Sequence, residues 1–303
     1  MPHANQIDLL PNQGWDERIL VCRNGRLVQT FIVVTARYVV LVDTLINAAT
    51  ARQMVAFAEP FLAGRTLLVV NTHADYDHAW GNQLFVGPDA AYPAPVIASL
   101  RCAAAFAQRE TAETLHRMQD AEPAIFGDVR LVPPTLLFDE QLTIDGGDLT
   151  LQLFATPGHT PDHISLYIPE IETLLAGDAA ELPYPAARTV DGLPLMRASL
   201  DALTAFEAQT VLYCHAPVAA GPDLLHDNIA YFDGLERACR AALQRGLPGT
   251  LPAGAAHIDR VGCRYADVTP QTELWRDVNP YYHTDGHADQ LRMMLTWLDA
   301  AQA

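Results

Sequence analysis

An α/β fold class is predicted by three features of the chain. Short β-rich runs alternate with helical runs in both halves, which argues for α/β layers. Half of the 303 residues are apolar, enough for a sizeable core. No repeat or long linker interrupts the alternation. The expected organisation is a single domain over residues 1–303, with an irregular and helical C-terminal extension from about residue 246.

The first third reads as strands. "RILVCRNGRLVQTFIVVTARYVVLVDT" runs apolar and β-branched, and Asn24-Gly25 is a hairpin turn signal. "NAATARQMVAFAEPFL" has helical spacing through Ala51, Met54, Val55 and Ala58, and stops near Pro60 and Gly64. "TLLVV" is a buried strand ending at Asn71, "PVIAS" is another strand, and an Ala-rich helix is expected from Leu100 to Met118. Strands return with "LTIDGGDLTLQLFATPG", "ISLYIPE" and "TLLAGD". A helix from Ser199 to Gln209 with Ser199 as its cap, the strand "TVLYCH", and a long amphipathic helix from Asp223 to Gln244 follow. The Pro/Gly-rich stretch from Gly246 to Asn279 is irregular, and Asp285 to Ala301 closes the chain as a helix.

Charge excludes one class of partner. A net charge of −17 with only 19 basic residues, scattered, leaves no cationic surface for nucleic acid. No apolar run reaches the ~18 residues of a membrane span. The N-terminus lacks a basic region followed by an apolar one, so no signal peptide is expected. Cys22, Cys102, Cys214, Cys239 and Cys263 are odd in number and widely spaced, which fits reduced thiols and a cytoplasmic setting better than a disulfide frame.

The residues that carry chemistry lie at strand ends. "TLLVVNT" delivers His73, Asp75, Asp77 and His78; "LQLFATPGHT" delivers His159; "TLLAGD" delivers Asp178; "TVLYCH" delivers His215. Near-extended backbone over residues 73–77 would aim His73, Asp75 and Asp77 to one side, with a turn at Asp77-His78 sending the last pair to a neighbouring point. Imidazole and carboxylate donors suit zinc, manganese or iron.

HxDxDH, then TPGHT, then GD, then a strand-ending His resembles the metallo-β-lactamase fold superfamily of metallo-hydrolases, over roughly Gly14 to Cys239. The resemblance implies a four-layer αβ/βα sandwich with a dinuclear metal site at one edge of two sheets. It implies that His73, Asp75 and His159 hold one ion, that Asp77, His78 and His215 hold the second, and that Asp178 bridges them. It also implies hydrolysis by a metal-bridging hydroxide, with Asp77 orienting it and accepting its proton. Two departures stand out. Asp75 occupies a position where the usual HxHxDH motif has histidine, and His215 sits in "CHAP" rather than a Gly-His-Gly-like stretch. Asp75 adds a third carboxylate, which lowers the net charge of the ion pair and shifts preference from zinc, the default, towards manganese or iron.

Further candidates are Tyr76 and Trp80 beside the ligands, weighed against plain packing, and His163 as a partner to a ligand. Arg188 and Arg197 are candidates to grip an anionic substrate, weighed against ordinary solvated arginines. Tyr281, Tyr282, His283 and His287 read as a lid or, preferably, a docked tail. The function expected is a hydrolase of a small-molecule ester, thioester, lactone, lactam or phosphodiester, with homo-oligomerisation left open. The tail lacks the basic helical domain of the glyoxalase II type. Two rivals stand beside it. One is a di-iron oxidoreductase, because flavodiiron proteins carry HxExDH, although too few residues follow His215 for a flavin domain. The other is a non-catalytic metal-stabilised binder.

Overall fold

A computed structural model describes residues 3–252, 254 and 256–301. The chain divides into two compact units, one of residues 1–155 with 162–177, the other of residues 156–161 with 178–303. Together they contain two sheets and helices in a mixed α/β fold.

The first unit carries eleven strands: β1 (Asp8–Leu9), β2 (Ile19–Asn24), β3 (Val28–Val34), β4 (Tyr38–Val42), β5 (Thr66–Val70), β6 (Val96–Ser99), β7 (Leu136–Phe138), β8 (Gln141–Asp145), β9 (Thr150–Ala155), β10 (Ile164–Ile168) and β11 (Thr173–Gly177). Strands β1 to β7 pair in chain order, antiparallel as far as β4 and parallel from there to β7. Strands β8 to β11 form an antiparallel meander. The expected hairpin joins β2 to β3, pairing Asn24 with Val28 while Gly25 takes φ +55. The helix Ala48–Ala58 buries Ala51, Met54, Val55 and Ala58, the positions its spacing predicts. Its start is a capping box, with Asn47 Oδ1 accepting from the amides of Ala49 and Thr50.

The expected single helix from Leu100 to Met118 is two, Leu100–Phe106 and Arg109–Ala121. Phe106 and Leu115 are nine positions apart, so on one continuous helix they would point to opposite faces. The break at Ala107-Gln108 lets both join a core cluster with Trp80, Cys102 and Phe126. Each large side chain buried there contributes roughly 1.5–3 kcal/mol, more than the hydrogen bonds lost at the break.

The second unit contains strand β12 (Thr210–Tyr213) and three long helices, Gly192–Thr204, Asp223–Gln244 and Asp285–Ala300. The helix expected at Ser199–Gln209 starts seven residues earlier and ends at Thr204. Pro194 falls in its first turn, where no intrahelical N–H is needed, and Leu193, Met196, Leu200 and Leu203 form the buried stripe. Ser199 is therefore no cap: its hydroxyl lies inside the helix and donates to the Pro157 carbonyl at 2.7 Å. The described residues of the Gly/Pro-rich stretch include the short helices His257–Val261, Tyr265–Val268 and Glu273–Arg276. Tyr184 stacks on Tyr231, with ring centroids 4.2 Å apart. Tyr282 and His283 pack against Tyr184 and Tyr265, as a docked tail would.

All five cysteines are buried thiols outside any disulfide. Among the described residues, no helix is long and apolar enough to cross a membrane.

Candidate metal centre

The first unit presents its chemistry just beyond β5. His73 and His78 are fully buried, their rings 4.2 Å apart, and Asp77 is buried beside them. The backbone here is not extended through residue 77 as the sequence suggests. Asp75 is extended (φ −63, ψ 155) and starts a short helix, Tyr76–Ala79, in which the amides of His78 and Ala79 donate to the Asp75 carbonyl. Asp77 and His78 thus sit on a helical turn.

One buried carboxylate organises both histidines. Asp43, directly after β4, takes φ +70 and accepts at Oδ1 from the Thr72 amide (2.7 Å). Its Oδ2 accepts from the Thr72 hydroxyl (2.8 Å) and from Nδ1 of His78 (2.8 Å). The Thr72 hydroxyl, having donated its proton, accepts from Nδ1 of His73 at 3.0 Å. Both Nδ1 atoms are thereby committed, which leaves the Nε2 atoms as the nitrogens that could meet a metal. His73 Nε2 lies 3.3 Å from Asp75 Oδ2, and His78 Nε2 lies 3.9 Å from Asp77 Oδ2.

Two further groups frame this cluster. Asp162 accepts from the Ala74 amide at 2.9 Å, and its carbonyl accepts from the Ser99 hydroxyl. His163 is buried with its ring 5.0 Å from that of His73. Gly177, at φ +58, makes room for it: a Cβ there would stand 2.5 Å from His163 Nε2.

The second unit carries its own cluster. Asp178 Oδ2 lies 3.6 Å from His159 Nε2 and 3.2 Å from His215 Nε2. His159 is held on a turn where the Gly158 amide donates to the Thr160 carbonyl. Gly158 (φ +148) approaches Met196 so closely that a Cβ would meet its Cα at 2.4 Å. His159, Asp178 and Glu181 bring donor atoms within 4.8 Å of one another, all buried.

These donor sets fit divalent ions. Two donors on one tetrahedral ion at ~2.0–2.2 Å are about 3.3–3.6 Å apart, and the His73–Asp75, His159–Asp178 and His215–Asp178 spacings of 3.3, 3.6 and 3.2 Å lie at or near that edge. The His78–Asp77 spacing is wider. Imidazole and carboxylate without thiolate suit zinc, manganese or iron. Burial, with Asp162, Asp43 and Asp75 nearby, pushes the Cys102 thiol well above its usual range.

The remaining candidates are placed as follows. Trp80 is buried in the core cluster against Phe126. Tyr76 is half-buried and packs on Trp80 and Phe126, its hydroxyl 3.4 Å from His3 Nε2. His3 in turn pairs with Glu122 at 2.7 Å. Arg188 is exposed. Arg197 is held by Asp233 at 2.8 Å and Asp201 at 2.5 Å, so its charge is already met by two carboxylates. Cys214 is buried. Sequence reasoning passed over Asp43, Thr72, Asp162 and Glu181. Asp43 had a signal, an acid directly after an apolar strand; Glu181 had none.

Known proteins resemble this chain in both sequence and fold. The family model described as the metallo-beta-lactamase superfamily matches residues 23–215. A hydroxyacylglutathione hydrolase of Saccharophagus degradans is 31% identical over 117 residues, covering 35% of this chain and 40% of the relative. One from Hahella chejuensis is 29% identical over 204 residues, covering 65% of this chain and 66% of the relative. The matches thus span less than two thirds of these relatives. A metallo-beta-lactamase family protein of Thermus thermophilus superposes with a TM-score of 0.60 at 20% identity, covering 98% of this chain and 94% of its own. A sec-alkylsulfatase from a Pseudomonas species gives 0.62 at 17% identity, covering 92% and 49%. At such identities the structures bear on fold alone.

Proposed function

The chain belongs to the metallo-beta-lactamase superfamily, and from that premise we propose that it is a two-metal hydrolase of a small-molecule thioester. Metal-dependent hydrolysis is supported by the family together with relatives named as hydrolases. The thioester is suggested by the hydroxyacylglutathione hydrolases among its relatives. Esters, lactones, lactams and phosphodiesters are the competing substrates, because loops set specificity on a shared fold.

In this reading His73, Asp75 and His159 would hold one ion, Asp77, His78 and His215 would hold the second, and Asp178 would be a ligand as well. The observation that carries it is the donor arrangement inside each cluster, with both Nδ1 atoms of the first committed to Asp43 and Thr72. Such ions supply a Lewis acid for the substrate's carbonyl oxygen and a nucleophile generated from water. Asp77 would be the acceptor for the proton released as that nucleophile forms. Asp43 and Thr72 hold His73 and His78 in one tautomer throughout.

Asp75 sets this chain apart from the commoner motif. Two divalent ions bring four positive charges, and Asp75, Asp77 and Asp178 supply three negative ones. The site is therefore less positive than one with histidine at position 75, and more tolerant of manganese or iron beside zinc. The same carboxylate keeps a di-iron redox reading as the rival. Reconstitution of metal-free protein with zinc, manganese or iron, each tested on thioesters, esters, lactones, lactams and phosphodiesters, separates the two. Metal-dependent thioester cleavage supports the proposal. Iron-dependent oxygen consumption without hydrolysis would replace it.

A further inference from the structure

We propose that Glu181 is a positioning residue for His159, anchored in turn by Asn228. The inference rests on the two-ion reading, in which His159 is a ligand. His159 has two nitrogens on opposite sides of its ring. Nε2 faces Asp178 Oδ2 at 3.6 Å, and Asp178 Oδ2 also faces His215 Nε2 at 3.2 Å. That is the ion's side. Nδ1 faces the other way, 3.5 Å from Glu181 Oε1. A metal-bound imidazole donates its second N–H to a carboxylate or carbonyl, which fixes the tautomer and the plane of the ring. Glu181 is placed to be that acceptor, and an ion on Nε2 sharpens the contact by making the Nδ1 proton more acidic.

Glu181 is only 4% exposed, and a carboxylate is rarely buried without a charged or hydrogen-bonding role. Its backbone is clamped. Its amide donates to Asn228 Oδ1 at 3.0 Å, while Asn228 Nδ2 donates to the carbonyls of Glu181 (2.9 Å) and Pro183 (3.1 Å). Asn228 is fully buried on the helix Asp223–Gln244, so the clamp is attached to an element 22 residues long. The next amide, Leu182, donates to the His215 carbonyl at 3.3 Å. One short segment thus fixes the side chain of His159 and the backbone of His215.

A direct ligand and a positioning acceptor respond differently to substitution. Glu181→Gln keeps a carbonyl oxygen for the Nδ1 proton but is a poor metal ligand; Glu181→Ala removes both roles. The test is zinc retention against a chromogenic chelator, the visible spectrum of the cobalt-loaded protein, and thermal unfolding of the metal-free protein. Glu181→Ala should weaken the tighter-held ion about 10- to 100-fold and alter the cobalt spectrum. Glu181→Gln should stay within about threefold of wild type and keep the cobalt spectrum. Metal-free unfolding tells a lost positioning contact from a lost fold. Equal retention in all three proteins, or a loss in Glu181→Gln as large as in Glu181→Ala, overturns the positioning role. Wild type that retains no ion overturns the two-ion reading itself, and this role with it.

Discussion

The carboxylate of Asp43 lies 2.8 Å from Nδ1 of His78, with both side chains fully buried, and this contact sets which face of the imidazole can meet a metal. Asp43→Ala leaves the Thr72 hydroxyl and amide and the His78 N–H without their acceptor. Each buried group so orphaned costs about 1–3 kcal/mol. Zinc retention should fall about 10- to 100-fold, and the urea midpoint of the metal-free protein should drop. Unchanged values for both would show that His78 is oriented by something else.

In the proposed reading Asp75 sets metal preference. Protein purified without added metal should carry manganese or iron alongside zinc, and Asp75→His should shift the content to zinc. Elemental analysis of the two proteins checks this. A clean zinc stoichiometry in wild type, unchanged in Asp75→His, would contradict it.

Gly177 supports His163 by having no side chain. Gly177→Ala places a Cβ 2.5 Å from His163 Nε2, at a backbone with φ +58. The strain and the forced ring movement should cost about 1–3 kcal/mol, read as a lower urea midpoint. Ala at Gly25, which also has positive φ but open space around it, should cost less.

His287 gives the second unit a pH dependence. Its Nδ1 lies 3.0 Å from the Tyr231 hydroxyl and its Nε2 lies 2.9 Å from the Cys263 carbonyl, the pairing of a neutral ring. Burial holds its pKa below the usual histidine value. The Cys263 carbonyl and Asp267 pull it back up, while His283 pushes it further down. With a folded-state pKa below the unfolded ~6.5, the unfolded chain binds more protons in between. The stabilisation is full above the unfolded value and is lost as pH falls through the folded one. The urea midpoint should therefore decline on acidification more steeply in wild type than in His287→Gln. Parallel profiles would contradict this.

Much of the architecture is legible in the sequence because it rests on local pattern. The spacing of Ala51, Met54, Val55 and Ala58, the Asn24-Gly25 turn and the length of the helix Asp223–Gln244 are written in periods of 3.6 and 2. The break at Ala107 and the early start at Gly192 are not, because each answers to which core a side chain joins. The same split governs the chemistry. His73, Asp75, Asp77 and His78 announce themselves by density, whereas Asp43, with only its place at a strand end to mark it, is passed over. Glu181 and Asn228 act through contacts 47 positions apart, which no local pattern encodes.

The reaction proposed for this protein is metal-dependent hydrolysis with two ions. Its most direct test is titration of metal-free protein with zinc, following thioester cleavage against equivalents of metal added. Turnover should be absent without metal and plateau at two equivalents, and His78→Ala and His215→Ala should each retain fewer than two ions with little turnover. Cleavage that is undiminished without metal, or a plateau unmoved by either substitution, would contradict the account.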